Sequence, residues 1–149
     1  MIIRLMDIND IAKVAKVERA CFSDPWSAFS FENELENEQT TYVVAIKGEE
    51  IVGYGGMRYL ADEGHIMKTA VCPQYRRQRV ADGILKWLEK YCKKRGIIAL
   101  TLEVRKSNVG AIKLYKKRGF KREGVRKEYY RNPEEDAVIM WKYFDGRKR

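Results

Sequence analysis

Two hydrophobic periods alternate along this chain, and each change of period marks an element boundary. Ile2-Ile3-Arg4-Leu5 reads as a short strand. Asp7 then caps an amphipathic helix, because Ile8, Ile11, Val14, Ala15 and Val17 fall on one face up to Cys21. Ser23-Asp24-Pro25-Trp26-Ser27 breaks that helix, and Ser27 caps a second, shorter one carrying Phe31 and Leu35. Thr40–Lys47 is alternating and β-branched, Gly48-Glu49-Glu50 turns, and residues 51–59 return, which is the pattern of a hairpin. Residues 65–71 form a further strand, closed by Pro73. From Ala81 the period becomes helical through Ile84, Leu85, Leu88, Tyr91 and Cys92. Lys93-Lys94-Arg95-Gly96 ends that helix with the cations and glycine a C-terminus favours. Residues 97–104 are a buried-looking strand. Ser107 caps a helix bearing Ala111, Ile112, Leu114 and Tyr115, which stops at Gly119. Residues 120–126 and 137–144 are the last two strands, joined by a polar loop over 127–136. This order predicts an α/β (α+β) domain around a mixed sheet.

Composition narrows the class. The 149 residues, 45% hydrophobic and 34% charged, have the length and balance of a single globular domain spanning 1–149. Charges recur too often for a membrane helix, and the N-terminus lacks the apolar stretch and cleavage site of a secretory leader. Cys21, Cys72 and Cys92 are widely spaced and odd in number, so they suggest neither a disulfide framework nor a zinc cluster. A cytoplasmic protein with no metal and no membrane contact is the expectation. Cys21 and Cys72 read as packing residues, and His65, the chain's single histidine, as a core or hydrogen-bonded one.

Charge distribution adds a partner class. Residues 1–74 carry 7 basic and 12 acidic side chains, whereas residues 75–149 carry 23 basic and 9 acidic. Such asymmetry suits an anionic partner, nucleic acid or a polyphosphate cofactor, and is equally compatible with a solvated basic surface.

Two segments concentrate candidate chemistry. The first runs strand, Arg/Gln-rich turn, helix, with Arg76, Arg77 and Arg79 around a helix N-terminus whose free N–H groups suit a pyrophosphate. In the second, Glu103 ends an apolar strand, where desolvation would raise a carboxylate toward a useful general-base value. Asn108 and Tyr115, seven apart, share one helix face with small Ala111 between them, which suits close approach of an extended ligand. Taken singly, these residues read as surface arginines, a strand-end glutamate and a core tyrosine.

Taken together they are specific. Leu102-Glu103-Val104-Arg105, Ser107-Asn108, Ala111, Leu114-Tyr115 and Gly119-Phe120 resemble the GNAT superfamily of N-acetyltransferases. Glu18-Arg19-Ala20-Cys21-Phe22-Ser23-Asp24-Pro25-Trp26-Ser27, Gly64-His65-Ile66 leading to Ala70-Val71-Cys72-Pro73, Tyr75-Arg76-Arg77-Gln78, Tyr129-Tyr130 and Glu135-Asp136-Ala137 extend the likeness nearly end to end. Within the superfamily the chain is similar to the ribosomal-protein-alanine N-acetyltransferases (RimI type). The resemblance implies a GNAT fold, a mixed and mostly antiparallel sheet of about seven strands flanked by about four helices. It implies acetyl-CoA as donor and a free amine as acceptor. It makes Thr69, Ala70 and Val71 backbone partners of the pantetheine arm and acetyl group. Arg76, Arg77, Gln78, Arg79, Val80, Ala81 and Asp82 become the pyrophosphate-binding turn, and Asn108 a polar contact to pantetheine. Glu103 matches the family's general base and Tyr115 its general acid. Phe22, Trp26, Tyr129 and Tyr130 flank the mouth where the acceptor's N-terminus enters.

Two positions depart from the pattern. Arg79 replaces the first glycine of the turn, and Lys68 stands where relatives often carry a neutral polar residue. Arg79 either points outward while its backbone still binds phosphate, or weakens the cofactor site. The acceptor is the N-terminal amine of a ribosomal protein, a lysine side chain or a small amine. A third reading is a ribosome- or RNA-associated protein without turnover. Lys116-Lys117-Arg118, Lys121-Arg122 and Arg147-Lys148-Arg149 supply more positive charge than one cofactor needs.

Overall fold

The side-chain periods resolve into seven strands and four longer helices in a computed structural model that describes residues 1–144. The Arg147-Lys148-Arg149 cluster lies outside the described residues. β1 (Ile2–Leu5) leads through a single 3-10 turn (Ile8–Asp10) into α1 (Ile11–Cys21) and α2 (Ala28–Glu36). β2 (Thr40–Lys47), β3 (Glu50–Leu60) and β4 (Glu63–Val71) follow, then α3 (Val80–Lys94), β5 (Ala99–Arg105), α4 (Val109–Lys117), β6 (Lys121–Tyr130) and β7 (Glu135–Tyr143). The strands form one sheet in the order β1-β2-β3-β4-β5-β7-β6. Every neighbouring pair is antiparallel except β4 and β5.

Each face of the sheet carries its own apolar layer. On one face α3 lays Ile84, Leu85, Leu88 and Cys92 against Val43, Met57, Leu100, Leu102 and Met140, and α4 adds Ala111, Ile112, Leu114 and Tyr115. On the other, α1 and α2 bring Val14, Val17 and Phe31 against Tyr42, Val44, Tyr54 and Ala70. Complete burial of each such side chain stabilises by about 1.5–3 kcal/mol before conformational entropy is counted.

Two irregularities shape the site. β4 and β5 pair in parallel only at Glu63–Ala99, Gly64–Leu100 and His65–Thr101, so, among the described residues, 66–71 of β4 have no strand partner on that side. The register of β4 on β3 also slips: Met57 opposes Ile66 and Gly56 opposes Lys68, leaving Met67 as an extra residue. A bulge of this kind resets the in–out alternation. Ile66 belongs to the α3-side layer and Ala70 to the α1-side layer.

Local differences from the sequence reading have physical causes. Asp7 caps the 3-10 turn rather than α1 directly, within a capping box closed by Asp10, and Ile8 is left exposed. The cap of α4 is Asn108, whose Oδ1 accepts from Ala111 N–H, not Ser107. The Ser107 N–H instead donates to Glu135 Oε2 at 2.5 Å. β6 and β7 run several residues further into the expected polar loop, because register breaks at Arg122/Gly124 and Arg126/Tyr130 let the strands continue past irregular pairs.

Candidate active site

Where β4 and β5 part, the sheet opens into a cleft of about 1010 Å³, at the upper end of ligand-pocket sizes and suited to an extended ligand. Its walls come from β4, the turn before α3, β5 and α4, so one feature of strand pairing brings both chemistry-bearing segments together.

β4 supplies a backbone edge. Cys72 N–H donates to Val52 O at 2.8 Å, on the β3 side. Alternation along the strand therefore turns the peptide groups of Val71 and Thr69 toward the cleft, whereas those of Ala70 face β3. Of the three positions implied by resemblance, Thr69 and Val71 can pair with a ligand through the main chain and Ala70 lines the wall. Val71 O accepts from Cys21 Sγ and from Arg76 Nε, both at 3.3 Å. Among the described residues the buried Thr69 hydroxyl makes no hydrogen bond of ordinary geometry; it faces the same region, beside the Tyr115 phenol.

The turn after β4 is tightly wound. Arg77 and Arg79 both adopt left-handed backbone, at φ 63° and 62°, and Arg79 is the N-cap residue of α3. Arg79 thus holds the backbone shape that glycine usually supplies while its side chain stays exposed. Arg76, Arg77, Arg79, Val80, Ala81 and Asp82 all line the cleft. Gln78 does not: its Oε1 accepts from Lys47 Nζ at 2.5 Å and its Nε2 donates to Gln74 O at 3.4 Å. Lys117 and Arg118, at the end of α4, line the same cleft and add to its positive rim.

Glu103 and Tyr115 face this space from β5 and α4. Burial pushes the Tyr115 phenol up, partly offset by the neighbouring Thr69 hydroxyl, so Tyr115 is protonated across the physiological range. Glu103 corrects the expectation of a raised value. Its Oε2 lies 2.6 Å from His65 Nε2, and that hydrogen bond holds the carboxyl below its ordinary range. Burial opposes the shift, and the charges of His65 and of Arg126, 3.9 Å from Oε1, add to it. Nor does Glu103 end its strand, since β5 continues to Arg105. Asn108 lines the cleft, and its Oδ1 is spent on the helix cap while its amide N–H donors are not used there.

The two aromatic segments meet. Ser23 Oγ donates to Asn132 O at 3.1 Å, joining the α1–α2 connection to the β6–β7 turn. Phe22 and Tyr130 line the cleft, whereas Trp26 and Tyr129 are not among its lining residues. Trp26 packs instead on Phe31 at 5.4 Å between ring centres, and Tyr129 meets Tyr130 edge-on at 5.0 Å. Sequence reasoning missed how Lys68 is held. Its ammonium bonds to Glu18, a fully buried carboxylate that also accepts from the Tyr54 hydroxyl and the Trp26 N–H. The same ammonium sits 4.7 and 4.2 Å from the Phe22 and Trp26 ring centres. Glu18 and Lys68 stand 50 positions apart with no periodic pattern linking them, so only the unusual cation at position 68 hinted at the pair.

Residues 11–120 match the model of the Acetyltransferase (GNAT) family. The chain belongs to that family. A Bacillus subtilis (strain 168) protein, provisionally designated a [ribosomal protein bS18]-alanine N-acetyltransferase, is 39% identical over 93% of each chain. The Escherichia coli (strain K12) [ribosomal protein bS18]-alanine N-acetyltransferase is 30% identical over 91% of this chain and 92% of its own. The crystal structure of the E. coli ribosomal-protein-S18-alanine N-acetyltransferase superimposes with a TM-score of 0.89 at 29% identity, covering 96% of this chain and 93% of that one. The GNAT sheet and helices expected from resemblance are those observed, and membership makes the chain an acetyl-CoA-dependent N-acetyltransferase. Among the described residues no helix is long and apolar enough to cross a membrane.

Proposed function

We propose that this acetyltransferase modifies the α-amine at a protein N-terminus, with the alanine start of a ribosomal protein as its acceptor. The observation that carries the reading is that Glu103 and Tyr115 face one cleft whose other end is rimmed by Arg76, Arg77 and Arg79. The names of the Bacillus and Escherichia relatives support the choice of acceptor.

Each residue then has a task. The arginines and the N-terminus of α3 attract the diphosphate of acetyl-CoA. Thr69 and Val71 offer main-chain pairing to the pantetheine arm, and a β4 N–H stabilises the oxyanion formed at the thioester carbonyl. The Asn108 amide is available to the same arm. An α-ammonium, with an ordinary pKa of about 7.7–8.0, must lose a proton before attack, and Glu103 receives it. Tyr115, kept protonated by burial, donates to the departing thiolate and is reprotonated from solvent. Phe22 and Tyr130 pack the incoming peptide, with Trp26 and Tyr129 supporting them from behind. The cytoplasm, where ribosomal proteins are made, is the compartment this function requires. Contact with ribosomal RNA through the basic C-terminal half is a subsidiary proposal, resting on the net charge of +9.

Intact-mass detection of acetyl transfer to a peptide panel tests the reading. Ala-starting ribosomal N-termini should be modified, with lysine-containing internal peptides and polyamines modified at least tenfold more slowly. Glu103→Gln with Tyr115→Phe should reduce kcat by about 10²–10⁴ while acetyl-CoA still binds. Preference for lysine or polyamine acceptors, or undiminished transfer by the double variant, would overturn it.

A further inference from the structure

The bulge at Met67 decides which way β4 points its side chains beyond it. Ala70 and Cys72 pack in the α1-side layer and Val71 in the α3-side layer. Thr69 therefore faces the α3 and α4 side, while Lys68 next to it meets Glu18 on the other. The neighbouring strand leaves room there. Gly55 of β3 stands opposite Thr69, and a Cβ at Gly55 would lie 3.7 Å from Thr69 Oγ1 and closer still to Ile84 of α3. Tyr115 of α4 reaches the same place. Its ring is set against the edge of Phe120, 5.7 Å between centres, and its phenol lies beside the Thr69 hydroxyl, both residues lining the main cleft.

This hydroxyl does nothing for the fold. Among the described residues it is the one buried side-chain polar atom that makes no hydrogen bond of ordinary geometry, and a buried donor left unmade destabilises. Valine would fill the same volume without that penalty, so packing gives no reason for a hydroxyl here. A donor held idle beside a general acid suits charge that exists only during the reaction. We propose that Thr69 is a positioning residue for acetyl transfer, its hydroxyl donating to the Tyr115 oxygen as the phenol gives its proton to the departing thiolate. This rests on the acetyl-transfer reading of the main cleft, with Tyr115 as the acid.

The step balances without a co-reactant. As the tetrahedral adduct collapses, the C–S bond breaks and its electron pair stays on sulfur. The Tyr115 O–H bond breaks and an S–H bond forms, which leaves the negative charge on the phenolate. The Thr69 O–H bond stays intact throughout and donates to that oxygen. Solvent then returns a proton to Tyr115, and the hydroxyl is idle again. A hydrogen bond to the charged form favours that form. Thr69 thereby acts on the phenol against the upward push of burial, which alone would make Tyr115 a reluctant acid.

Thr69→Val tests the role, because it removes the hydroxyl and keeps both the shape and the main-chain groups of β4. With an Ala-starting acceptor, kcat should fall about tenfold, while the acetyl-CoA dissociation constant from calorimetry is unchanged and the melting midpoint does not drop. Thr69→Ser should recover about half of the parent kcat or more. The decisive comparison is made in Tyr115→Phe, where no phenol oxygen is left for the hydroxyl to serve. Adding Thr69→Val to that variant should change its residual kcat by less than about twofold. An equal loss in both backgrounds would overturn the proposal, as would a parent-like kcat in Thr69→Val. Weaker acetyl-CoA binding with kcat kept would also overturn it, and would assign the hydroxyl to the donor instead. Undiminished transfer by Tyr115→Phe would overturn the reading of Tyr115 as the acid, a distinct result.

Discussion

Glu103 shows why a residue's type and place can be read from sequence while its chemical state cannot. Its identity within Leu102-Glu103-Val104-Arg105 was legible, because a carboxylate in an apolar strand is rare. Its lowered pKa comes from His65, 38 positions away and adjacent only because β4 and β5 pair at that point. Arg79 illustrates the complementary case. Its replacement of glycine was plain in the sequence, but only the backbone angle shows that arginine is forced to imitate it. Left-handed backbone costs a side-chain-bearing residue about 1–2 kcal/mol, and glycine gives back about 0.4–1 kcal/mol through unfolded-chain entropy. Arg79→Gly should therefore stabilise the protein by roughly 0.5–1 kcal/mol, raising the melting midpoint by about 2 °C in a thermal scan. A lowered midpoint would show that the Arg79 side chain contributes more than its strained backbone costs.

At the scale of elements, nearly every helix and strand followed from period and capping, and the errors cluster at ends. Ser107 and Asn108 are both good capping types, and tertiary contact chose between them, since Glu135 occupies the Ser107 N–H. Asn108 is thereby both a cap and a cleft residue, and two substitutions separate the roles. Asn108→Ala should cost about 1 kcal/mol of stability by chemical denaturation. Asn108→Asp should keep the cap and the stability while weakening acetyl-CoA binding, because it replaces amide donors with a negative charge. If Asn108→Asp binds the donor as the parent does, the amide has no part in the site.

The connection between α1 and α2 is pinned to β4 by the Glu18–Lys68 pair. Breaking a buried pair by removing one partner typically costs about 3–5 kcal/mol. Lys68 retains some exposure, so Lys68→Met should fall at the lower end, about 3 kcal/mol, seen as a drop in the denaturation midpoint. Adding Glu18→Gln should recover more than half, since the neutral amide oxygen still accepts from the Trp26 N–H. Failure to recover would place the loss in the Lys68 contacts with Phe22 and Trp26 instead.

For the molecule as a whole, part of the positive charge of the basic second half is turned inward rather than displayed. Arg118 and Lys142 both neutralise Glu89, a buried carboxylate on α3, so these two cations tie α4 and β7 to the helix between them. Arg118 and Lys117 also border the cleft, so part of the Lys116-Lys117-Arg118 cluster belongs to the site rather than to a surplus. The overall architecture was legible because amphipathic periods and glycine or proline breaks recur along the whole chain. The cleft was not legible from those patterns, because it arises where a strand pairing stops, and absent hydrogen bonds leave no periodic trace.

The short β4–β5 pairing has a kinetic consequence. In the function proposed above, the open edge of β4 would pair with peptide-like groups along the donor's arm, and those groups are the same before and after the acetyl group departs. On that reading the slot should grip the spent carrier about as firmly as the charged one. Free coenzyme A should compete with acetyl-CoA, with an inhibition constant within about tenfold of the donor's dissociation constant, a gap of 1.4 kcal/mol or less. Initial-rate measurements with both present will show whether turnover follows the ratio of charged to spent carrier, so that the enzyme slows whenever the cell's acetyl supply runs down.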